Sequence, residues 1–220
     1  DISFTPSNTG SEPISTQITV TPTFTNDGVS CTTTTSQTFT ITVNPQPQIN
    51  NFTETICEGG VGFSDITPEN GTDGVVPTGT TYEWEITSSN NITGGSSGSG
   101  TTIPGSVLQN ASNSPQDLIY TVTPTSADDC EGDPFTVTIT VNPTPEMADP
   151  DDLEVCNGAT PPTVINFTTS NSGGVTSYFW ENTGGVDVGL GATSGTIDDS
   201  DSDISFTPSN TGSEPISTQI

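Results

Sequence analysis

Two kinds of side chain in this sequence could do chemistry: carboxylates and thiols. There are 27 Asp and Glu and four Cys, and there is no Lys, Arg or His. The commonest general base, the Schiff-base amine and the guanidinium clamp on an oxyanion are therefore missing by composition. Paired carboxylates remain for acid–base work, as at Glu83 and Glu85, which share one face of a strand. Two solvated acids on a wet sheet face explain that pair more simply. The reading is that the chain has no catalytic residue and is not an enzyme. The Gly/Ser run at 94–100 lacks the Lys and the helix of a phosphate loop, and is read as an ordinary loop. A formal charge of −27 with no internal compensation repels nucleic acid and anionic membranes, both of which are held through Lys and Arg. No apolar run is long enough for a membrane-spanning helix, so no direct membrane insertion is expected in this segment.

The carboxylates crowd at three places. Glu58, Asp128, Asp129, Glu131 and Asp133 flank Cys57 and Cys130. Asp149, Asp151, Asp152 and Glu154, with Glu146, stand beside Cys156. Asp198, Asp199, Asp201 and Asp203 form the run DDSDSD. Hard cations with oxygen ligands suit such groups, and Ca2+ is the candidate cofactor. A full DxDxDG loop is absent, and turns also carry charge simply because turns are wet.

The elements that would hold these residues follow from two nested repeats. DISFTPSNTGSEPISTQI at 203–220 is identical to residues 1–18, an offset of 202 from residue 1 to residue 203. Identity over that length marks one full period of a longer array. Inside the period a second, weaker repeat runs at about 100 residues, a normal domain size. TITVNPQP (40–47) returns as TITVNPTP (138–145), TYEWE (81–85) as SYFWE (177–181), Cys31 as Cys130 and Cys57 as Cys156. The expected organisation is the C-terminal half of one domain plus its linker at 1–48, a complete domain at 49–146, and the N-terminal part of the next domain at 147–220. Each half would be completed by a neighbouring repeat. The joints NPQPQINN and NPTPEMADPDD are proline-bearing and read as short, stiff, extended linkers.

Period-2 alternation sets the fold class. In FTVTITV (135–141) Phe135, Val137, Ile139 and Val141 share one face and Thr136, Thr138 and Thr140 the other; FTITV (39–43) and TYEWEI (81–86) follow the same rule. One buried face and one wet face, with turns rich in Gly, Asn, Asp and Pro, predict an all-β chain of tandem immunoglobulin-like sandwiches, each of two antiparallel sheets, in an extended array. Tyr82 with Trp84, and Tyr178 with Trp180, fall on the core face, so both Trp read as core anchors rather than sugar platforms. Five Asn-X-Ser/Thr triplets, at Asn51, Asn70, Asn91, Asn110 and Asn166, are what so Thr-rich a chain yields by chance.

Isolated cysteines in a His-free chain fit an oxidising, extracellular setting better than zinc. With Cys57 before the first strand and Cys130 in the last hairpin turn, one pole of the sandwich would hold both, and a Cys57–Cys130 disulfide is expected. Cys156 would pair in the same way with the next repeat's copy of Cys31. A Cys31–Cys57 link would have to span a strand and a linker, ~30 Å at ~3.3 Å per residue, beyond disulfide reach.

The layout of a cysteine opening (ICEGG, VCNGA), a Trp strand (YEWE, YFWE) and a closing ITVTPTFTNDGVSC…TFTITVNPQP resembles the PKD-like domains repeated in giant surface proteins of Bacteroidetes-type bacteria. The resemblance covers the whole chain, although the WDFGDG signature of PKD domains proper does not follow either Trp. It implies immunoglobulin-like sandwiches, type IX secretion, a cell-surface location, and a role in adhesion or gliding motility. The function expected is a structural repeat of a long extracellular fibre or stalk of an adhesin. Its partners would be neighbouring repeats of the same chain, with surface polysaccharide or other cells at the far end. The alternative is a polysaccharide-binding or spacer module of a secreted carbohydrate-active enzyme.

Overall fold

The computed structural model describes residues 3–160, 162–199 and 203–220. Wherever Thr, Val, Ile and Phe alternate the backbone is extended, and every regular element among the described residues is a strand. The N-terminal segment carries β1 (Ile14–Val20), β2 (Thr23–Asn26), β3 (Val29–Thr32) and β4 (Gln37–Val43). The middle of the chain carries β5 (Gln48–Ile49), β6 (Phe52–Cys57), β7 (Gly74–Val75), β8 (Thr81–Ser89), β9 (Ile92–Thr93), β10 (Gly98–Gly100), β11 (Gln109–Asn110), β12 (Gln116–Thr125) and β13 (Phe135–Asn142). The C-terminal part carries β14 (Thr163–Asn166), β15 (Ser177–Glu181), β16 (Ser194–Asp198) and β17 (Asp203–Phe206).

The middle segment is a complete sandwich. Its main sheet runs β10-β8-β12-β13-β6. A thinner layer of short pairs, β5–β7 and β9–β11, with the bridge Ile66–Ile103, faces it. The alternating face of β12 and β13 is sealed between the layers: Leu118, Tyr120, Val122, Phe135, Val137, Ile139 and Val141 are all buried. Phe63 packs over Tyr120 at 6.4 Å between ring centroids, and Tyr82 meets Phe135 edge-on at 6.3 Å. Trp84 is buried too, its indole N–H donating to the Ser96 carbonyl at 3.0 Å.

Three expectations change. The main sheet is not wholly antiparallel. β6 joins β13 in parallel, from Val137 opposite Phe52 to Asn142 opposite Cys57. The first strand thereby covers the edge that the last strand would otherwise leave unpaired. The Gly/Ser run is not all loop. Gly98–Gly100 is an edge strand on β8, where a Cβ at Gly98 would come within 2.9 Å of the Trp84 ring. Gly195 lies opposite Trp180 in the same way. The first joint is not a free spacer either. Pro45 and Pro47 are buried, Gln46 Nε2 donates to the Glu131 carbonyl at 2.7 Å, and Gln48–Ile49 pair with Gly74–Val75.

Burial, reinforced by the nearby charge of Asp73, pushes the Tyr82 hydroxyl from its ordinary 10 up to about 12. Unfolded Tyr82 loses its proton near pH 10 and folded Tyr82 near pH 12, so the folded state holds more protons across that window. The stability tied to the neutral hydroxyl is intact below pH 10 and is lost as pH rises through 12. The full effect is on the order of 2–3 kcal/mol. Tyr82→Phe should flatten the fall in melting temperature between pH 9.5 and 12. An unchanged pH profile would place the alkaline sensitivity elsewhere.

Candidate functional site

The cysteines and acids singled out in the sequence do not converge. Cys57 ends β6 rather than preceding it, and lies opposite Asn142 at the end of β13. Cys130 lies in the turn before β13 begins. The two are separated by the length of that strand, ~23 Å for seven steps of ~3.3 Å, where a disulfide needs a Cα separation under ~7 Å. The expected Cys57–Cys130 bond is therefore excluded by the parallel register. All four cysteines are free thiols.

Glu58 follows Cys57 to the far pole, where its carboxylate accepts from Thr144 N at 3.2 Å and Thr144 Oγ1 at 3.1 Å. Asp128, Asp129, Glu131 and Asp133 stay at the near pole. Asp149, Asp151, Asp152 and Glu154 lie exposed along an irregular stretch. Asp198 ends β16, Asp203 opens β17, and Asp199 Oδ2 accepts from Thr176 N at 3.1 Å. Asp201 lies outside the described residues. Among the described residues no group of three Asp, Glu or Cys is placed to hold a metal ion. Glu83 and Glu85 point to solvent from β8.

The feature with a binding geometry is a strand edge and an apolar face, built once in full and once in halves. In the sandwich β12 is the inner strand. It pairs with β13 on one edge and with β8 on the other. β1 is its counterpart. It pairs with β4 from Ile14–Val43 to Val20–Gln37, seven pairs that match β12–β13 from Gln116–Val141 to Val122–Phe135. Among the described residues no strand lies on the other edge of β1. The face that β12 and β13 bury is open on β1 and β4: Val20 is 45% exposed where Val122 is 0%, and Phe39 48% where Val137 is 0%. Phe4, Ile14, Ile18, Phe39, Ile41 and Val43 line the resulting apolar groove.

The second copy of the same residues has the opposite arrangement. Phe206 in β17 is 8% exposed and packed under β14 pairing, while its twin Phe4 is 56% exposed. Residues 216–220 repeat the ISTQI of β1 but lie along the end of the Trp strand. Gln219 O accepts from Thr183 N at 2.8 Å and from Thr183 Oγ1 at 3.3 Å. In the complete sandwich Ile119 O accepts from Thr87 Oγ1 at the same 3.3 Å. One copy thus takes the β13-type edge of the strand and the other takes the β8-type edge.

An asparagine went unrecognised in the sequence. Asn110 is buried, and its Nδ2 donates to Ser114 O at 2.9 Å and to Val141 O at 2.8 Å, clamping the loop before β12 to the end of β13. Asn8 makes the same pair of bonds, to Glu12 O at 2.8 Å and Val43 O at 2.9 Å. Asn210 makes only the local one, to Glu214 O at 2.9 Å. The signal was present: each of the three is followed five residues later by proline, at Pro13, Pro115 and Pro215. At Asn110 it was hidden inside an Asn-Ala-Ser triplet, read as a chance sequon.

Residues 54–145 match the family model described as PKD-like domain, and this segment is a PKD-like, immunoglobulin-like sandwich. A search of curated proteins found no match. Among solved structures, the extracellular cadherin domains 1–5 of protocadherin gamma B2 align with 12% identity and a TM-score of 0.30, over 88% of this chain and 39% of that one. The chain therefore spans well under half of that structure's length.

Two outcomes test this geometry. Asn110→Ala strands the Val141 and Ser114 carbonyls and should cost the sandwich roughly 1–3 kcal/mol, read as a lower urea midpoint; Asn8→Ala should leave that transition in place. Because no described acids share an ion, Ca2+ should raise the melting temperature no more than Na+ at equal ionic strength. An excess that disappears on changing Asp149, Asp151 and Asp152 to Asn would mean that the joint acids gather a cation after all.

Proposed function

We propose that this chain is a repeat unit of a long extracellular fibre or stalk, built of PKD-like sandwiches and serving a bacterial surface adhesin in attachment or gliding. The observation that carries the reading is the parallel pairing of β6 with β13. The first and last strands of the sandwich run the same way, so the chain enters at one pole and leaves at the other. A domain of that topology, tied to its linker by Pro45, Gln46 and Pro47, passes the chain on along its axis instead of turning it back. The 202-residue period and the uncompensated charge of −27 both suit many copies in line. Like charge on neighbouring domains favours extension at low salt.

The matched family supports an extracellular-type structural module. Among the described residues no helix is long and apolar enough to cross a membrane. The alternative of a polysaccharide-binding module lacks an aromatic platform in the complete domain, because Trp84 is spent on the core. Type IX export, the adhesive ligand and the host cell belong to the proposal and rest on the resemblance of the motifs.

Small-angle scattering from a chain of three tandem periods tests the stalk. Two sandwiches and two linkers should add roughly 80–100 Å of length per period at ~3.3 Å per strand residue. An increment under about 60 Å, or a compact particle, would rule out the end-to-end stack and the stalk with it.

A further inference from the structure

We propose that each joint of the chain is a built interface. The asparagine-clamped loop of one domain is the docking surface for the first long loop of the domain that follows, and the linker is fastened between them. This rests on the reading of the chain as consecutive domains of one type. It goes beyond that reading in holding that neighbours keep one fixed angle, set by named contacts and not by proline stiffness alone.

The same two loops meet at both joints. At the first, Asn70 Nδ2, in the loop between β6 and β7, donates to Ser11 Oγ at 3.0 Å, while Asn70 Oδ1 accepts from Val76 N at 3.0 Å. Ser11 belongs to the loop that Asn8 ties to Val43. At the second, Ser172 N, in the loop between β14 and β15, donates to Asn113 O at 2.8 Å. Asn113 belongs to the loop that Asn110 ties to Val141. Ser11 follows Asn8, and Asn113 follows Asn110, by the same three positions. Beside it Gly173 comes so close that a Cβ there would stand 3.1 Å from Pro115 Cδ, and its φ of +79° favours glycine as well. The complete sandwich is the following domain at the first joint and the preceding one at the second, so the contact is present whichever side is complete.

The linker is held from both sides. Thr144 N and Oγ1 donate to the Glu58 carboxylate of the sandwich that the chain is leaving, at 3.2 and 3.1 Å. Thr144 O accepts from Asn171 Nδ2 of the loop that it approaches, at 3.1 Å. Further on, Glu146 N donates to Asn171 Oδ1 at 2.7 Å and Ala148 N to Thr168 O at 2.9 Å. The first linker runs the same course, with Gln46 Nε2 donating to Glu131 O at 2.7 Å and Asn50 N to Asp73 O at 2.8 Å. Gln46 and Thr144 take the same place between the two prolines of their motifs, NPQP and NPTP. The buried asparagine makes the assembly stiff. Asn110 ties Val141, at the end of the last strand, to Ser114, inside the docking surface. The docking loop therefore cannot shift against the strand from which the chain leaves. Groups already fixed by their own domain lose little further freedom when the neighbour docks.

Amide exchange followed by NMR on the 220-residue chain tests the interface, with Glu58→Ala on one side of the joint and Asn171→Ala on the other. The Ser172 N–H is the reporter, since neither substitution removes that donor or the Asn113 carbonyl. It should be protected in the unaltered chain and should exchange about tenfold faster in each variant, the change expected for losing one or two net hydrogen bonds. Glu58→Gln keeps an oxygen that can accept from Thr144 and should restore most of the protection. The amides of β12 and β13 should stay slow throughout. A Ser172 N–H that exchanges as fast as in an unfolded peptide would overturn the proposal. So would protection unmoved by both alanine variants, or protection lost only together with that of β12 and β13. A three-period chain that keeps its length increment beside an unprotected Ser172 N–H would overturn this inference alone. A protected joint beside a compact three-period chain would overturn the stalk alone.

Discussion

A strand in the middle of a sandwich sheet needs a partner along both edges, because its in-plane backbone N–H and C=O groups are shut off from water by the strands beside it and the layer facing it. β12 meets that requirement, and the rest of the sandwich is arranged around it. β8 and β13 take its edges, β6 closes the free edge of β13, and the short-stranded layer takes its apolar face. The Asn110 clamp holds the loop that delivers the chain to β12 against the end of β13, which keeps the register of the pair. Gly98 fits beneath Trp84 because any side chain there would meet the indole, so the outermost strand can lie flat on β8.

The same requirement explains the two ends of the chain. β1 has the residues of an inner strand but one paired edge, and its face stays open. Residues 216–220 have the same sequence, meet the other kind of edge, and form no strand of their own. Identical residues are in different states because their long-range partners differ. Local propensity is equal in the two copies and so decides nothing between them.

Charge has a separate role. With no Lys, Arg or His, no side-chain ion pair contributes to the fold, and the acids are placed where water can reach them: on turns, along the irregular stretch after the sandwich, and on the wet face of β8. Cohesion must come from apolar burial and from backbone hydrogen bonds. Thr serves on the exposed strand faces, where its branched side chain suits the pleat without adding charge. The resulting surface is largely polar and its charge is all negative, which disfavours indiscriminate association, although single apolar side chains such as Phe24, Val61 and Phe179 remain open to water.

The all-β class, the strand segments 39–43, 81–86 and 135–141, the inward Trp84 and the 202-residue period were legible in the sequence. Each is written in residues a fixed small distance apart or in literal repetition: alternation of apolar residues with Thr states which face is buried whatever the strand later pairs with. The match of residues 54–145 to PKD-like domains agrees with the resemblance read from the closing motif. What the sequence could not state was which edges meet. Placing Cys57 beside Cys130 assumed that the cysteine precedes the first strand. In fact Cys57 ends that strand, and parallel pairing with β13 puts the two thiols at opposite poles and scatters the acids that were to share an ion. The Gly98 edge strand and the Asn110 clamp were hidden for the same reason, since each depends on a partner many residues away, Trp84 for one and Val141 for the other. Periodicity is a local property of the chain and was determined by the sequence alone. Register, direction of pairing and the convergence of distant side chains are long-range, and only the tertiary structure decided them.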